Sequence, residues 1–392
     1  MPEVKALTGN DAVSYAMKQI NPDVVAAYPI TPQTSIVEKF SEYVANKEVD
    51  TEMILVESEH SAMSACVGAS AAGARTMTAT SSQGLALMWE VMYIAAGLRL
   101  PIVMPIVNRA LSAPINIHCD HSDVMGARDS GWLHLFCENA QEAYDNTIMA
   151  IRIAEHQQVQ LPTSVNLDGF IISHEVANVN IYDNKAVKDF IGEFKPRSPL
   201  LDLKNPITVG PLDLQDYYFE HRRQLADGMV KSLGVIKNVT DEFNKKFSRS
   251  YDFIEGYRME DAEAAIVGLG STMGTLRDIV DSARKAGKKI GFVKVRVFRP
   301  FPAEQVVAAL EGIKAIAVLD RADSLNTVGG PLFTDVRSAL YGESNALIAN
   351  YIYGLGGREI TETALNSVID EVLKTAKTKK IERELTYLGV RE

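Results

Sequence analysis

The sequence predicts an α/β protein, a doubly wound parallel sheet followed by a second α/β domain. Three observations predict it. From about residue 8 to 175, short apolar runs alternate with segments of helical length, as in successive βαβ units. Between about 176 and 255 that alternation breaks, with Pro196, Pro199, Pro206 and Pro211 close together. From about 260 to 392 it resumes. The division that follows is 1–240 for the first domain, with an ordered connector from about 176, and 255–392 for the second.

Leu7-Thr8-Gly9-Asn10 leads into a helix over Asp11 to Lys18. Val24 to Ala27 is apolar and short, the pattern of a buried parallel strand. A helix from Thr34 to Ala45 follows, then a strand over Met53 to Val56. Ser61 to Ala72 is rich in Ala, Ser and Gly, which suits a helix lying close to another backbone. Arg75 to Ala79 is the next strand, Ser81 to Gly84 a turn at its carboxyl end, and Leu85 to Ala96 a helix. Ile102 to Val107 and Leu161 to Asn166 complete the strands of the first unit. In the connector, a helix runs from Leu214 into the 230s, and its aromatics Tyr217, Tyr218 and Phe219 call for burial. The second unit alternates Ala264–Val267, Met273–Ala286, Ile290–Val297, Pro302–Leu310, Ala315–Leu319, Gly330–Leu340 and Asn345–Tyr353, and ends in a helix over Ile360–Thr375.

A chain of 392 residues is long for one core and suits two domains. Its net charge of −10 argues against nucleic acid or an anionic membrane as the main partner. The opening MPEVKALTGN lacks a charged region followed by an apolar core, so no signal peptide is expected. The apolar region Gly84 to Val107 is broken by Glu90, Arg99, Pro101 and Pro105, which fits a buried helix and strand rather than a membrane span. Cys66, Cys119 and Cys137 stand far apart with no CxxC pair, so neither an iron–sulfur cluster nor a structural zinc is expected on this chain. Scattered free thiols suit a reducing cytoplasm.

The chemistry-bearing residues gather at strand ends. Tyr28-Pro29-Ile30-Thr31-Pro32 follows the first strand, and its prolines hold Thr31 in a stiff turn past the carboxyl end. Thr31 there is either a positioned hydroxyl or a helix N-cap. Glu57 and Glu59, in Val56-Glu57-Ser58-Glu59-His60-Ser61, sit where a strand gives way to a helix. They are either first-turn acids or include a buried carboxylate that shares a proton with a heterocycle. Arg109, in Asn108-Arg109-Ala110, follows an apolar strand and can grip a carboxylate with two parallel hydrogen bonds. Thr80-Ser81-Ser82-Gln83-Gly84 occupies a fourth strand end. In a parallel sheet these ends share one rim, where ligands bind. His118, Asp120, His121 and Asp123 have irregular spacing in a loop, which favours a hydrogen-bonded loop over a metal site. Gly268-Leu269-Gly270-Ser271-Thr272-Met273-Gly274 misses the dinucleotide fingerprint by one position and suits a tight strand–helix turn. No Gly-Asp-Gly thiamine diphosphate–Mg²⁺ motif is present.

At these residues the chain resembles the α subunit of the four-subunit pyruvate:ferredoxin oxidoreductases, within the 2-oxoacid:ferredoxin oxidoreductase family. The resemblance runs nearly the whole length. Its specific pieces are Ala27–Pro32, Glu57–Ala62, Thr78–Ser81, Asn108–Ala110, Ile115–Asp123, Pro206–Pro211, Phe298–Pro302, Val318–Arg321 and Tyr353–Arg358. It implies that the first domain is a pyrimidine-binding module for thiamine diphosphate and that the second is similar to the transketolase C-terminal module. The implied reaction is oxidative decarboxylation of pyruvate with coenzyme A, giving acetyl-CoA and CO₂ and reducing ferredoxin. Glu59 matches the family's pyrimidine-binding glutamate, and Thr31 and Arg109 match residues that hold the substrate carboxylate. Tyr28, Pro29 and Ser81 are expected beside the cofactor with Glu59. A β subunit is expected to bring the diphosphate and Mg²⁺, and [4Fe–4S] clusters are expected on partner subunits among β, γ and δ. No metal site is expected on this chain. Retention of Tyr-Pro-Ile-Thr-Pro favours pyruvate. 2-Oxoglutarate or a branched-chain 2-oxoacid, or a non-catalytic assembly role, are the alternatives.

Overall fold

The computed structural model describes residues 3–391. The chain opens with strand β1 (Glu3–Thr8) and helix α1 (Gly9–Ile20), then β2 (Val24–Ala27), α2 (Thr34–Ala45), β3 (Glu52–Leu55), α3 (Glu59–Ala72), β4 (Thr76–Met77), α4 (Ser82–Gly97) and β5 (Val103–Asn108). A short α5 (Ser122–Ala127) precedes β6 (Leu133–Phe136), α6 (Ala140–Glu155), β7 (Thr163–Asp168), β8 (Val176–Ile181) and α7 (Asn184–Ile191). After an irregular stretch comes the 30-residue helix α8 (Tyr218–Phe247). The second unit contains β9 (Ile254–Tyr257), β10 (Ala264–Gly268), α9 (Thr272–Lys285), β11 (Ile290–Val295), β12 (Val297–Arg299), α10 (Ala303–Ala309), β13 (Ala315–Asp320), α11 (Pro331–Leu340), β14 (Leu347–Tyr353), α12 (Glu362–Thr378) and β15 (Leu385–Leu388).

The first large sheet has the order β12-β6-β7-β5-β4-β2-β3 and is parallel except for β12. Its central strands β5 and β7 are buried at every residue, as a sheet covered by helices on both faces requires. The second sheet runs β15-β14-β13-β10-β11-β9, with only β9 antiparallel. The doubly wound fold predicted for the first unit and the second α/β domain are both present. Local signals set the helix starts. Thr8 and Asp11 form a capping box at α1, and Ser58, Asn139 and Thr361 cap α3, α6 and α12 through their side chains.

Several elements differ from expectation. β1 and β8 pair as an antiparallel ribbon apart from both large sheets, and neither is visible in the sequence because most of their residues are exposed or half-buried and form no apolar run. β6 is a further strand that the sequence pattern does not announce. The run Ile290–Val297 divides at Arg296: β11 joins the second sheet, while β12 crosses to the edge of the first. Helix α4 begins at Ser82, so Gly84 lies in its first turn rather than in a preceding loop. Helix α3 packs against β2 and α4, as its small residues suggest, but the side that carries Gly68 faces open space, with no atom within 4 Å of where its Cβ would be. Tyr217, Tyr218 and Phe219 stay exposed, Phe219 at 76%, whereas Phe243 farther along the same helix is buried.

The crossover of β12 fastens the two units together. The side chain of Arg296, buried between them, donates to Asn146 Oδ1 (2.8 Å), Thr240 Oγ1 (3.1 Å) and the Asp252 carbonyl (2.6 Å). Buried Lys294 meets Glu138 (2.7 Å), Glu142 (2.7 Å) and Glu255 (2.9 Å). At the other end of the junction, Asp168 accepts from Arg321 Nη1 (3.0 Å) and Ser271 Oγ (2.5 Å) and pairs with His121 Nε2 (2.8 Å). These partners hold its carboxyl well below the usual range despite burial. No helix among the described residues is long and apolar enough to cross a membrane.

Candidate functional site

Sheet order puts β3, β2, β4 and β5 side by side, so Glu59, Thr31, Ser81 and Arg109 follow four neighbouring strand ends. At about 4.8 Å per strand, that rim spans roughly 14 Å.

The turn after β2 is braced from within. Gln33 is fully buried, accepts the Ile30 N–H through Oε1 (3.2 Å) and donates through Nε2 to the Ala79 carbonyl (3.1 Å). Asn10 donates to the Pro32 carbonyl (2.7 Å). The residue at the N-cap of α2 is Gln33, so Thr31 does not cap that helix. Thr31 is exposed instead, and Tyr28 (36% exposed) and Pro29 stand beside it on the outer lip. Gln33 and Asn10 are missed by sequence reasoning. The contacts that brace the turn against the rest of the fold carry no local signal, because they reach 46 residues from Gln33 and 22 from Asn10.

The two carboxylates before α3 have different surroundings. Glu57 is exposed and accepts from Ser61 Oγ (2.7 Å), which holds its carboxyl below the ordinary value. Glu59 is 7% exposed, in the first turn of α3 behind the Ser58 cap. No described donor is bonded to its carboxylate. A Cβ on Gly84 would come within 2.5 Å of Thr80 Oγ1 and 2.7 Å of Glu59 Oε1, so glycine at 84 leaves Glu59 its position. The Thr80 hydroxyl at this contact is buried with no partner among the described residues, and so are those of Thr78 and Ser81 in the same segment.

Arg109 is 6% exposed. Its Nη1 donates to the Thr31 carbonyl (2.8 Å) and its Nε to the Asn116 carbonyl (2.8 Å). The structure therefore brings Thr31 and Arg109 together directly. Burial draws the guanidinium pKa down and Asp123 opposes that shift; the group remains cationic near neutrality.

The two ends of the loop from 110 to 123 are tied by hydrogen bonds, Ala110 N–H to the His118 carbonyl (3.0 Å) and Leu111 N–H to Ser122 Oγ (3.0 Å). Asp120 accepts from Ser122 Oγ (2.5 Å) and the Gly356 N–H (3.1 Å), His121 pairs with Asp168, and Asp123 accepts four N–H groups. Cys119, His121 and Asp168 come close enough together to suit a metal, but Asp168 is already engaged by Arg321 and Ser271. His118 lies apart, its ring 5.2 Å from that of Phe170. In the glycine-rich turn before α9, the Ser271 N–H and Oγ both bond Asp168, so the turn serves the domain junction.

Comparison with known proteins decides the family. Residues 15–241 match the family model described as pyruvate flavodoxin/ferredoxin oxidoreductase, thiamine diphosphate-binding. The chain belongs to that family. Residues 262–365 match pyruvate:ferredoxin oxidoreductase core domain II. The chain is 56% identical to the pyruvate synthase subunit PorA of Thermotoga maritima, covering 99% of this chain and 98% of the relative. It is 48% identical to the PorA subunit of Methanocaldococcus jannaschii (95% and 96% covered) and 45% identical to the ketoisovalerate oxidoreductase subunit VorA of Pyrococcus abyssi (98% and 98%). Among solved structures, a 2-oxoglutarate:ferredoxin oxidoreductase from Magnetococcus marinus superposes with a TM-score of 0.73 at 19% identity; the match covers 95% of this chain and 66% of that one. A split-gene transketolase matches with a TM-score of 0.57 at 12% identity (94% and 99%). These two likenesses show the fold. The relatives are named as subunits, so members of this pyruvate:ferredoxin oxidoreductase family work in multisubunit enzymes.

The residues at the rim fit the aminopyrimidine side of thiamine diphosphate. A nearly buried carboxylate with no donor among the described residues stands close against Gly84 and Thr80, and the Thr80 hydroxyl there has unused bonding capacity.

Proposed function

We propose that this chain is the α subunit of a thiamine diphosphate-dependent pyruvate:ferredoxin oxidoreductase. In this reading Glu59, Thr31 and Arg109 are its catalytic side chains, and Tyr28, Pro29 and Ser81 line the cofactor together with Glu59. The observation that carries the reading is the rim itself: a nearly buried carboxylate with no donor among the described residues and a guanidinium bonded to the Thr31 carbonyl, on strand ends along one edge of one sheet. The overall reaction converts pyruvate, coenzyme A and two oxidised ferredoxins to acetyl-CoA, CO₂ and two reduced ferredoxins, with release of a proton.

When bound, thiamine diphosphate supplies a nucleophilic carbon and an electron sink for loss of CO₂ from a 2-oxoacid. Glu59 holds a proton against the ring nitrogen N1′ and so shifts the basicity of the amino group across the ring, which is general acid–base work done at a distance. Arg109, anchored by the Thr31 and Asn116 carbonyls, points its remaining N–H groups at the substrate carboxylate. The Thr31 hydroxyl, exposed on the braced turn, adds a donor to the same carboxylate. This grip orients the carbonyl carbon for attack. Because that carboxylate leaves as CO₂, a grip that favoured the ground state alone would not raise turnover.

The Gly-Asp-Gly motif is missing from this chain, which supports a β subunit as the source of the diphosphate and Mg²⁺ contacts. The partners in this reading are β, γ and δ subunits, [4Fe–4S] clusters on those partners, coenzyme A and ferredoxin, in the cytoplasm. The division 1–240 and 255–392 assigns the rim to the first domain.

The substrate is tested by purifying the complex anaerobically and measuring coenzyme A-dependent viologen reduction with pyruvate, 2-oxoglutarate and 2-oxoisovalerate. The last is the informative competitor, because a relative named for ketoisovalerate matches at 45% identity. Pyruvate is expected to give the highest kcat/KM. A higher value for another acid would reassign the substrate and leave the chemistry in place.

A further inference from the structure

Asp123 lies outside the rim but is tied to two of its strand ends. Its carboxylate is buried, and each oxygen accepts two N–H groups. Oδ2 takes the backbone N–H of Ser82 (3.1 Å) and of Arg109 (3.0 Å); Oδ1 takes Asn108 Nδ2 (3.0 Å) and the N–H of Val124 (2.7 Å). One side chain thus clamps the start of α4 to the end of β5.

Ser82 has φ +48°, a left-handed backbone that a serine keeps only where its surroundings impose it. The surroundings here are Asp123, which bonds its N–H, and the Ala110 carbonyl, which accepts from Ser82 Oγ at 2.6 Å. That conformation starts α4 so that Gly84 lies against Glu59. The same Asp123 oxygen bonds the main chain of Arg109. Displacing it would move both ends of the proposed site at once.

We infer that Asp123 is a positioning residue for catalysis, holding the Arg109 main chain and the first turn of α4 beside Glu59 in one fixed relation. This rests on the proposed roles of Glu59 and Arg109. Asp123 acts through this chain's own N–H groups, all four of its donors being protein.

The test is Asp123→Asn in the full complex. Both oxygens accept two N–H groups, so an amide in either orientation sets its own NH₂ against two donors. Asp145 provides the control: it is equally buried and accepts from Tyr251, Arg249 and Gln141, in helix α6 away from the rim. The expectation is that Asp123→Asn raises the pyruvate KM at least 10-fold and lowers kcat, while Asp145→Asn lowers thermal stability with KM unchanged. Combining Asp123→Asn with Arg109→Lys should then cost far less than the product of the two single losses, because the clamp acts through Arg109. Should Asp123→Asn fail to assemble, Asn108→Ser, which removes one of the four donors, is expected to raise KM about threefold. A wild-type KM in Asp123→Asn, or in Asn108→Ser if the former does not assemble, overturns the inference when Glu59→Gln and Arg109→Lys are impaired. If those two variants are fully active, the reading of the site fails first.

Discussion

Replacing Arg109 by alanine separates its proposed grip on substrate from its structural role. A guanidinium carries five N–H groups. Nε and one N–H of Nη1 are held by the Asn116 and Thr31 carbonyls, leaving three without a partner among the described residues. Two of these can meet a carboxylate as a pair. Hydrogen bonds to charged groups contribute about 1.5–3 kcal/mol each, so the pair is worth roughly 3–6 kcal/mol, and kcat/KM for pyruvate should fall about 10²–10⁴-fold. Two carbonyls also lose their donors, at about 1–3 kcal/mol each if they stay buried. A fall in activity could therefore come from a displaced turn alone. Steady-state viologen reduction by the purified complex, with and without added guanidinium ion, tells the two apart. Guanidinium ion should restore part of kcat/KM in Arg109→Ala, and Arg109→Lys should keep a small fraction of activity with a raised KM. The grip is disproved if Arg109→Ala retains kcat/KM within about threefold of the native value while its thermal midpoint drops.

Gly84→Ala would set a methyl group into the space shared by Thr80 Oγ1 and Glu59 Oε1. It should lower kcat and weaken thiamine diphosphate binding at least 10-fold, with a stability cost of about 1–3 kcal/mol; unchanged cofactor affinity by fluorescence titration would argue against the assigned corner. Lys294→Met leaves Glu138, Glu142 and Glu255 facing one another without their shared cation. Loss of one partner from such a buried cluster costs about 3–5 kcal/mol, a fall in Tm on the order of 10 °C, measurable by calorimetry on the complex and absent if the cluster is solvated.

Much of the first domain was legible because parallel strands buried on both faces leave short apolar runs, as at Val24–Ala27 and Ile102–Val107. The rim residues were legible for the same reason: once a strand is known, so is the side on which its end lies. The β1–β8 ribbon escaped because its residues, mostly exposed or half-buried, form no apolar run. The division at Arg296 escaped because a single apolar run served two sheets, and only the third dimension shows that β12 crosses to the other. The braces of the Thr31 turn, Gln33 and Asn10, and the clamp at Asp123 act through contacts far apart in sequence. The exposure of Phe219 reverses the expectation that aromatic residues in the connector are buried within this chain.

Whether this chain contributes a catalytic carboxylate to the thiamine site, or only holds partners together, turns on Glu59. Glu59→Gln is the sharpest probe, since the amide keeps the shape and gives up the ionisable carboxyl. The complex is purified with the variant chain, its bound thiamine diphosphate and iron are quantified, and coenzyme A-dependent turnover of pyruvate is measured. A catalytic Glu59 requires an assembled, iron-replete complex with kcat lowered about 10²–10⁴-fold, the range general acid–base groups supply. An assembled, cofactor-loaded Glu59→Gln complex that turns over pyruvate at the native rate would rule that role out.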